Sequence, residues 1–212
     1  MESWPRRKHF EVFNSFDYPH FNVCADVEVT ALKPALKDIS VSYTLGLTYA
    51  LARAANSIPE FRFRIREGRV IEHEVVHPSI TILLEDETFS FCTLKYVDDS
   101  YEFIQDSEKI VSQVKEKLVL EDEPGQDDLL YMTSIPWLSF TGFMHPIHMH
   151  PVDSVPRIAW GKMFHKGGSL HMPLSVQGHH GLMDGLHVGR YFARVQELLD
   201  KPEELVEARK SG

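Results

Sequence analysis

Apolar and polar residues alternate one by one over residues 21–30, placing Phe21, Val23, Ala25, Val27 and Val29 on one side. A period of two is the signature of a half-buried strand. The same signal predicts strands over 79–84, 89–94, 129–135, 157–164 and 169–177. Two further runs, 61–65 and 70–75, flank Arg66-Glu67-Gly68-Arg69 and predict a hairpin. Elsewhere the period lengthens. Phe103, Ile104, Ile110, Val111, Val114 and Leu118 share one face of a helix predicted over 100–118. Residues 45–55 are small and apolar enough for a buried helix, 186–199 give the last helix, and 5–13 give a short one with Pro5 in its first turn. The acidic stretch 121–128 holds Pro124-Gly125 and is expected to be a solvated loop. The Glu- and Lys-rich tail after Pro202 is expected to fray. Strands and helices mixed in this order, without an internal repeat or a linker, predict one α/β or α+β layered domain over residues 1–212.

The composition narrows this picture. Apolar residues make up 43% and charged residues 25%, an ordinary globular balance, and the net charge of −9 argues against a nucleic-acid partner, which needs a basic face. Cys24 and Cys92 do not suggest a disulfide framework. The first residues show no apolar signal segment, and no apolar run is long enough to span a membrane. A cytoplasmic protein without a membrane partner is expected.

The chemistry concentrates in Gln177-Gly178-His179-His180-Gly181-Leu182-Met183-Asp184-Gly185, between the last predicted strand and the last helix. A histidine at a strand end can take a proton near neutral pH, an aspartate four residues on can fix the turn, and glycines let a substrate approach the backbone. An ordinary polar strand-to-helix turn would read the same way from spacing alone. A second histidine group, His145, His148 and His150, would place His148 and His150 on one side of an extended segment. Cysteine and carboxylate partners at metal spacing are missing nearby, so a histidine-rich loop at a subunit boundary is expected and no metal.

The same segment resembles the active-site signature of the chloramphenicol acetyltransferases, Gln–aliphatic–His–His–small–x–x–Asp–Gly–aromatic–His, through Gln177, His179, His180, Asp184, Gly185 and His187. Gly178, Gly181 and Leu186 depart from it. Further matches follow in the family's order: Trp4-x-Arg6 with His9-Phe10, Pro59-Glu60-Phe61-Arg62, Val76-His77-Pro78, Glu87-Thr88-Phe89-Ser90, Ile135-Pro136-Trp137, Gly161-Lys162 and Pro173-Leu174-Ser175-Val176-Gln177. They span nearly the whole chain.

The resemblance implies a two-layer CoA-dependent acyltransferase fold, a mixed sheet with flanking helices, assembled as a homotrimer with active sites between subunits. It implies His180 as general base, taking a proton from an acceptor hydroxyl while that oxygen attacks acetyl-CoA, the co-substrate. No bound cofactor is required. His179 takes a structural role, and Asp184 is expected to pair with Arg6 rather than orient the base, a geometrically specific contact. Thr133 falls where the family has its oxyanion-binding serine, and keeps the hydroxyl. Ala159 falls where the family has an assisting threonine, so that contribution is lost. Lys162 is implied at the nucleotide end of CoA, followed by Met163 in place of a tyrosine. Phe89 and Phe143 match aromatics of the acceptor pocket, Phe13 replaces a tyrosine, and Phe91 replaces a small residue, which would reduce the pocket. The pattern also fits an acyltransferase with another acceptor, such as another alcohol or a lipoyl thiol, and a ligand-binding trimer without turnover.

Overall fold

Parallel neighbours in a sheet cannot be joined by a tight turn, and two such pairs shape this molecule. The structure, a computed structural model, describes residues 4–115 and 118–205, the Glu204 side chain apart. Along the chain come α1 (Arg7–Phe13), β1 (His20–Glu28), α2 (Leu32–Asp38), α3 (Tyr43–Asn56), α4 (Pro59–Arg62), β2 (Phe63–Arg66), β3 (Arg69–Glu72), β4 (His77–Leu83) and β5 (Phe89–Thr93). Then follow α5 (Ser100–Val114), β6 (Leu129–Ile135), β7 (Arg157–Gly161), β8 (Phe164–Lys166), β9 (Ser169–His179), α6 (Gly185–Asp200) and a 3-10 turn, Pro202–Leu205. The main sheet runs β1-β9-β7-β6-β4-β5, with β8 beside β9 and the β2–β3 hairpin apart. β6 lies parallel to β4 on one side and β7 on the other, and the remaining pairs are antiparallel.

The strand period gives the sheet two unlike faces. Ile80, Met132, Ile158, Trp160, Leu174 and Val176 enter one apolar cluster with Leu47 and Leu51 of α3 and Tyr191 and Val195 of α6. Removing each such side chain from water contributes roughly 1.5–3 kcal/mol. α3 is buried from Leu45 to Ala52, as a helix apolar on all sides must be. The opposite face carries Thr81, Tyr131, Thr133, Arg157, Ser175 and Gln177. α5 makes the crossover from β5 to β6, whereas β6 reaches β7 through residues 136–156, which hold no helix or strand.

The chain differs from the sequence expectations in specific places. The strand expected over 157–164 breaks after Gly161, because the Lys162 amide donates to Leu138 O (2.7 Å) instead of the sheet. A Cβ at Gly161 would stand 2.7 Å from that same oxygen, so the close approach depends on glycine. The hairpin strands are shorter than 61–65 and 70–75. Glu67 and Gly68 both have positive φ (49° and 71°), the two-residue turn whose twist matches the flanking strands. The helix expected over 100–118 ends at Val114, and residues 116–117 lie outside the described residues. α2 and α4 are missing from the periodicity reading, being too short to show a stripe. Of the tail expected to fray, Leu205 is buried in the core, and residues 206–212 lie outside the described residues. No described helix is long and apolar enough to cross a membrane.

Arg64 is fully buried, and among the described residues no carboxylate pairs with it directly. Its guanidinium instead donates to the carbonyls of Phe61, Phe63, Asp127 and Leu129, tying the β2 hairpin to the start of β6. Burial pulls its pKa down to about 10, which still leaves it charged at neutral pH.

At the end of β9, Gly178 explains its own departure from an aliphatic residue. A Cβ there would collide with the side chain of Met183, which folds back from the turn and is 1% exposed. Gly178→Val should therefore cost about 1–3 kcal/mol of stability by overpacking, and Met183→Ala in the same chain should recover most of it. Urea unfolding of the two single variants and the double variant checks this; additive losses would mean the two side chains do not compete for one space.

Candidate active site

β9 ends on His179, and His180 follows it at the head of the turn. The His180 amide donates to Pro19 O (2.7 Å), holding the strand end against the chain before β1. Its ring stacks on Phe13 from α1, with centroids 3.9 Å apart and planes 12° apart, and leans on Phe21 at 4.8 Å. Nδ1 lies 3.2 Å from Met183 O. A carbonyl oxygen can only accept, so this contact places the proton of the neutral ring on Nδ1 and leaves the lone pair on Nε2.

A part-buried network of polar groups closes the turn. One guanidinium nitrogen of Arg6 forms an ion pair with Asp184, and the other donates to His180 O (3.0 Å). Asp184 does not orient the imidazole ring; it holds the backbone through Arg6. It also caps α6 by accepting from the Leu186 amide (2.9 Å). Burial works against its ionisation, but the Arg6 hydrogen bond, the Leu186 amide and the charges of His187 and Arg6 outweigh it and hold the carboxyl below the usual range. Beyond it, His187 places Nδ1 2.9 Å from Asp184 Oδ1 and Nε2 3.2 Å from Glu60 Oε1. Glu60 and His187 belong to matched motifs, yet no role was expected of either; only the fold brings them together.

On the polar face of the sheet lies an open cavity of about 1080 Å³. Phe89, Phe91, Thr133 and Phe143 line it, together with Thr81 and His145. Phe89 and Phe91 stand 5.8 Å apart, and Phe91 faces Thr81 across the strand pair. Thr133 Oγ1 lies 2.8 Å from Thr81 Oγ1. The wall over this cavity is the 136–156 crossover, tacked to β9 by two residues. Ser175 donates to Phe143 O (3.0 Å), and Gln177 Oε1 accepts from the His145 amide (2.7 Å). Gln177 thus works on the crossover, not on a substrate.

The sequence-predicted residues therefore fall into two groups. Arg6, Phe13, His180 and Asp184 gather at the turn; Thr133, Phe89, Phe91 and Phe143 gather at the cavity. Phe13, expected with the acceptor-pocket aromatics, stacks on His180 and lines no part of the cavity. Lys162 stands exposed at the end of β7 beside Leu138. Ala159 is fully buried in β7, next to Thr133 in register.

His179 turns inward to the polar face, 1% exposed, and meets His20 edge to face at 5.4 Å. Its Nδ1 accepts from the Gly181 amide (3.1 Å), and its Nε2 has no partner among the described residues. Burial, reinforced by the neighbouring His20 and His180, pushes its pKa down to about 4. Burial and Arg157 bring His145 to about 4 as well. His148 and His150 flank Met149, which forms an isolated bridge with Val152. No group of three or more metal-ligating side chains occurs among the described residues.

The comparisons with known proteins give the class before the family. A dihydrolipoamide acetyltransferase of Azotobacter vinelandii superposes with a TM-score of 0.68 over 94% of this chain and 88% of that one, at 18% identity. The fold is that of the CoA-dependent acyltransferases. A solved chloramphenicol acetyltransferase superposes more closely, with a TM-score of 0.85 at 28% identity over 93% of this chain and 96% of that one. A chloramphenicol acetyltransferase from Klebsiella sp is 30% identical over 204 residues, 95% of this chain and 92% of the relative. The family model for chloramphenicol acetyltransferase matches residues 1–196, and the chain belongs to that family.

Two measurements follow from the turn. Arg6→Val and Asp184→Asn should each lower stability, and the double variant should lose less than their sum, with a coupling of about 1–3 kcal/mol for a part-buried pair in one network. Zero coupling in a urea double-mutant cycle would mean the contact contributes nothing. The second concerns pH. The folded pKa of His179 lies below the ~6.5 of an unfolded histidine, so the unfolded chain binds more protons between these values. Stability is then fully present above about pH 6.5 and is lost as pH falls toward 4, by on the order of 2 kcal/mol at pH 5 from His179 alone. His179→Asn should flatten the fall in urea midpoint between pH 7 and 5; an unchanged slope would assign it to other groups.

Proposed function

We propose that the protein transfers acetyl from acetyl-CoA directly to a hydroxyl of a small acceptor, with chloramphenicol, the substrate in its relatives' name, as the first acceptor to test. The observation that carries this reading is the His180 ring: Nδ1 committed to Met183 O, Nε2 bearing the lone pair, and the ring stacked on Phe13 with Phe21 tilted beside it. Nε2 takes the acceptor's proton as its oxygen attacks the thioester carbon. The Thr133 hydroxyl donates to the oxygen that gains negative charge. When the tetrahedral intermediate collapses, the CoA sulfur leaves and recovers the proton from His180. A positioned base contributes about 10²–10⁴-fold, so holding the two substrates in line must supply much of the remainder.

His180 and the cavity holding Thr133 are separate groups within one chain. A homotrimer in which His180 of one subunit faces the cavity of its neighbour joins them. Lys162 would meet the CoA phosphates beside exposed Trp137 and Leu138, which offer an apolar surface for adenine. The two cysteines are free, which supports a reducing compartment such as the cytoplasm.

An acetyl-CoA assay with chloramphenicol, other alcohols and dihydrolipoamide identifies the acceptor class. His180→Gln should lower kcat at least ~10²-fold with modest changes in KM. Mixed assemblies of His180→Gln and Thr133→Val subunits should regain activity, because some interfaces then pair an intact His180 with an intact Thr133. Near-normal turnover by His180→Gln would remove it as the base, and mixtures no more active than their parents would remove the shared site.

A further inference from the structure

Thr81 stands next to Thr133 for a reason set by register. β4 and β6 are parallel, with Ser79 opposite Tyr131 and Ile80 opposite Met132. One step on, Thr81 and Thr133 are neighbours on the cavity face, their hydroxyl oxygens 2.8 Å apart. That separation is a full hydrogen bond between two hydroxyls. Each hydroxyl has one proton and two acceptor lone pairs. The pair can therefore be wired in only two ways. If Thr133 donates to Thr81, its single proton is consumed inside the protein. If Thr81 donates to Thr133, the Thr133 proton is free for the cavity, and its oxygen is polarised by the bond it accepts.

We infer that Thr81 is a positioning residue for the transfer reaction: it donates to Thr133 and thereby aims the Thr133 proton at the developing oxyanion. The inference rests on the reading of Thr133 as oxyanion donor. Thr81 does not touch the reacting atoms and gives up no proton; the bond it makes is strengthened as charge builds on the substrate oxygen, since chained hydrogen bonds polarise one another. Both residues are β-branched, with restricted χ1, so the two hydroxyls are held in place by their strands rather than by substrate. Phe91 of β5 is the register partner of Thr81 and lines the same cavity.

The effect should fall on kcat and not on binding. Thr81→Val keeps the shape and removes the hydroxyl. It should lower kcat about three- to tenfold, with KM for acceptor and acetyl-CoA within about twofold. Thr81→Ser should restore kcat to within about twofold of the original protein. Thr133→Val should lower kcat about 10²-fold, and adding Thr81→Val to it should then change kcat no further. An equal loss from Thr81→Val in both backgrounds would overturn the relay, and so would an unchanged kcat in Thr81→Val alongside an impaired Thr133→Val. Full activity in Thr133→Val would instead show that the oxyanion assignment itself is wrong, and the relay would fall with it. Urea midpoints within experimental spread of one another would show that the kcat differences are not losses of fold.

Discussion

The contact on which the rest of the candidate site depends is the ion pair between Arg6 and Asp184. It joins residues from the first helix boundary and the last strand-to-helix turn, so it closes nearly the whole chain on itself. The guanidinium fork suits this role because its two terminal nitrogens serve different targets, Nη1 the carboxylate and Nη2 the His180 carbonyl. A lysine could not do both with fixed geometry. The same contact carries α1 to the turn, and α1 brings Phe13 onto the His180 ring. Asp184 is also the N-cap of α6, so a single carboxylate fixes the start of a helix, the position of a backbone carbonyl and the approach of the N-terminal helix. His187 and Glu60 extend the network inward and leave Asp184 little freedom to turn away.

The second constraint is topological. With β6 parallel to both β4 and β7, the chain must cross the sheet twice. One crossing is made by α5. The other, 136–156, passes over the polar face without regular structure, and its backbone needs partners from elsewhere. Ser175 and Gln177 provide them from β9. This explains why the strand leading to His180 carries polar residues on that face, where a plain packing strand would not. It also explains the buried, neutral histidines, which sit between the crossover and the sheet, where charge is costly.

Much of the fold was legible because strand alternation survives in β1, β4, β5, β6 and β9, and because α3, α5 and α6 are long enough to show a face. The break after Gly161 was not, since it depends on the Leu138 carbonyl arriving from the crossover. α2 was hidden by its length and by Pro34. At the site, spacing alone left the histidine turn ambiguous; the resemblance selected His180, Arg6 and Thr133. It did not supply Thr81, which carries no motif and becomes visible only through the β4–β6 register. Phe13 stands where the family has a tyrosine, and nothing in the sequence shows that its ring stacks on His180.

The departures from the family signature sort by what each side chain must do. Gly178 leaves room for the Met183 side chain beside the backbone that delivers His180. Phe13 keeps an aromatic face for stacking, whatever it loses in hydroxyl. Thr133 keeps a hydroxyl on the cavity face, where its neighbour Thr81 can reach it. At these positions this chain retains the backbone path, the ring face or the hydroxyl. Phe91 is of another kind: it places a ring in the cavity wall, in register with Thr81. A change of that sort alters which molecules fit while leaving the turn, the proposed base and the proposed donor untouched. On the proposed reading the chemistry and the choice of acceptor are therefore separable, the first resting on the turn and the β4–β6 hydroxyl pair, the second on the aromatic wall.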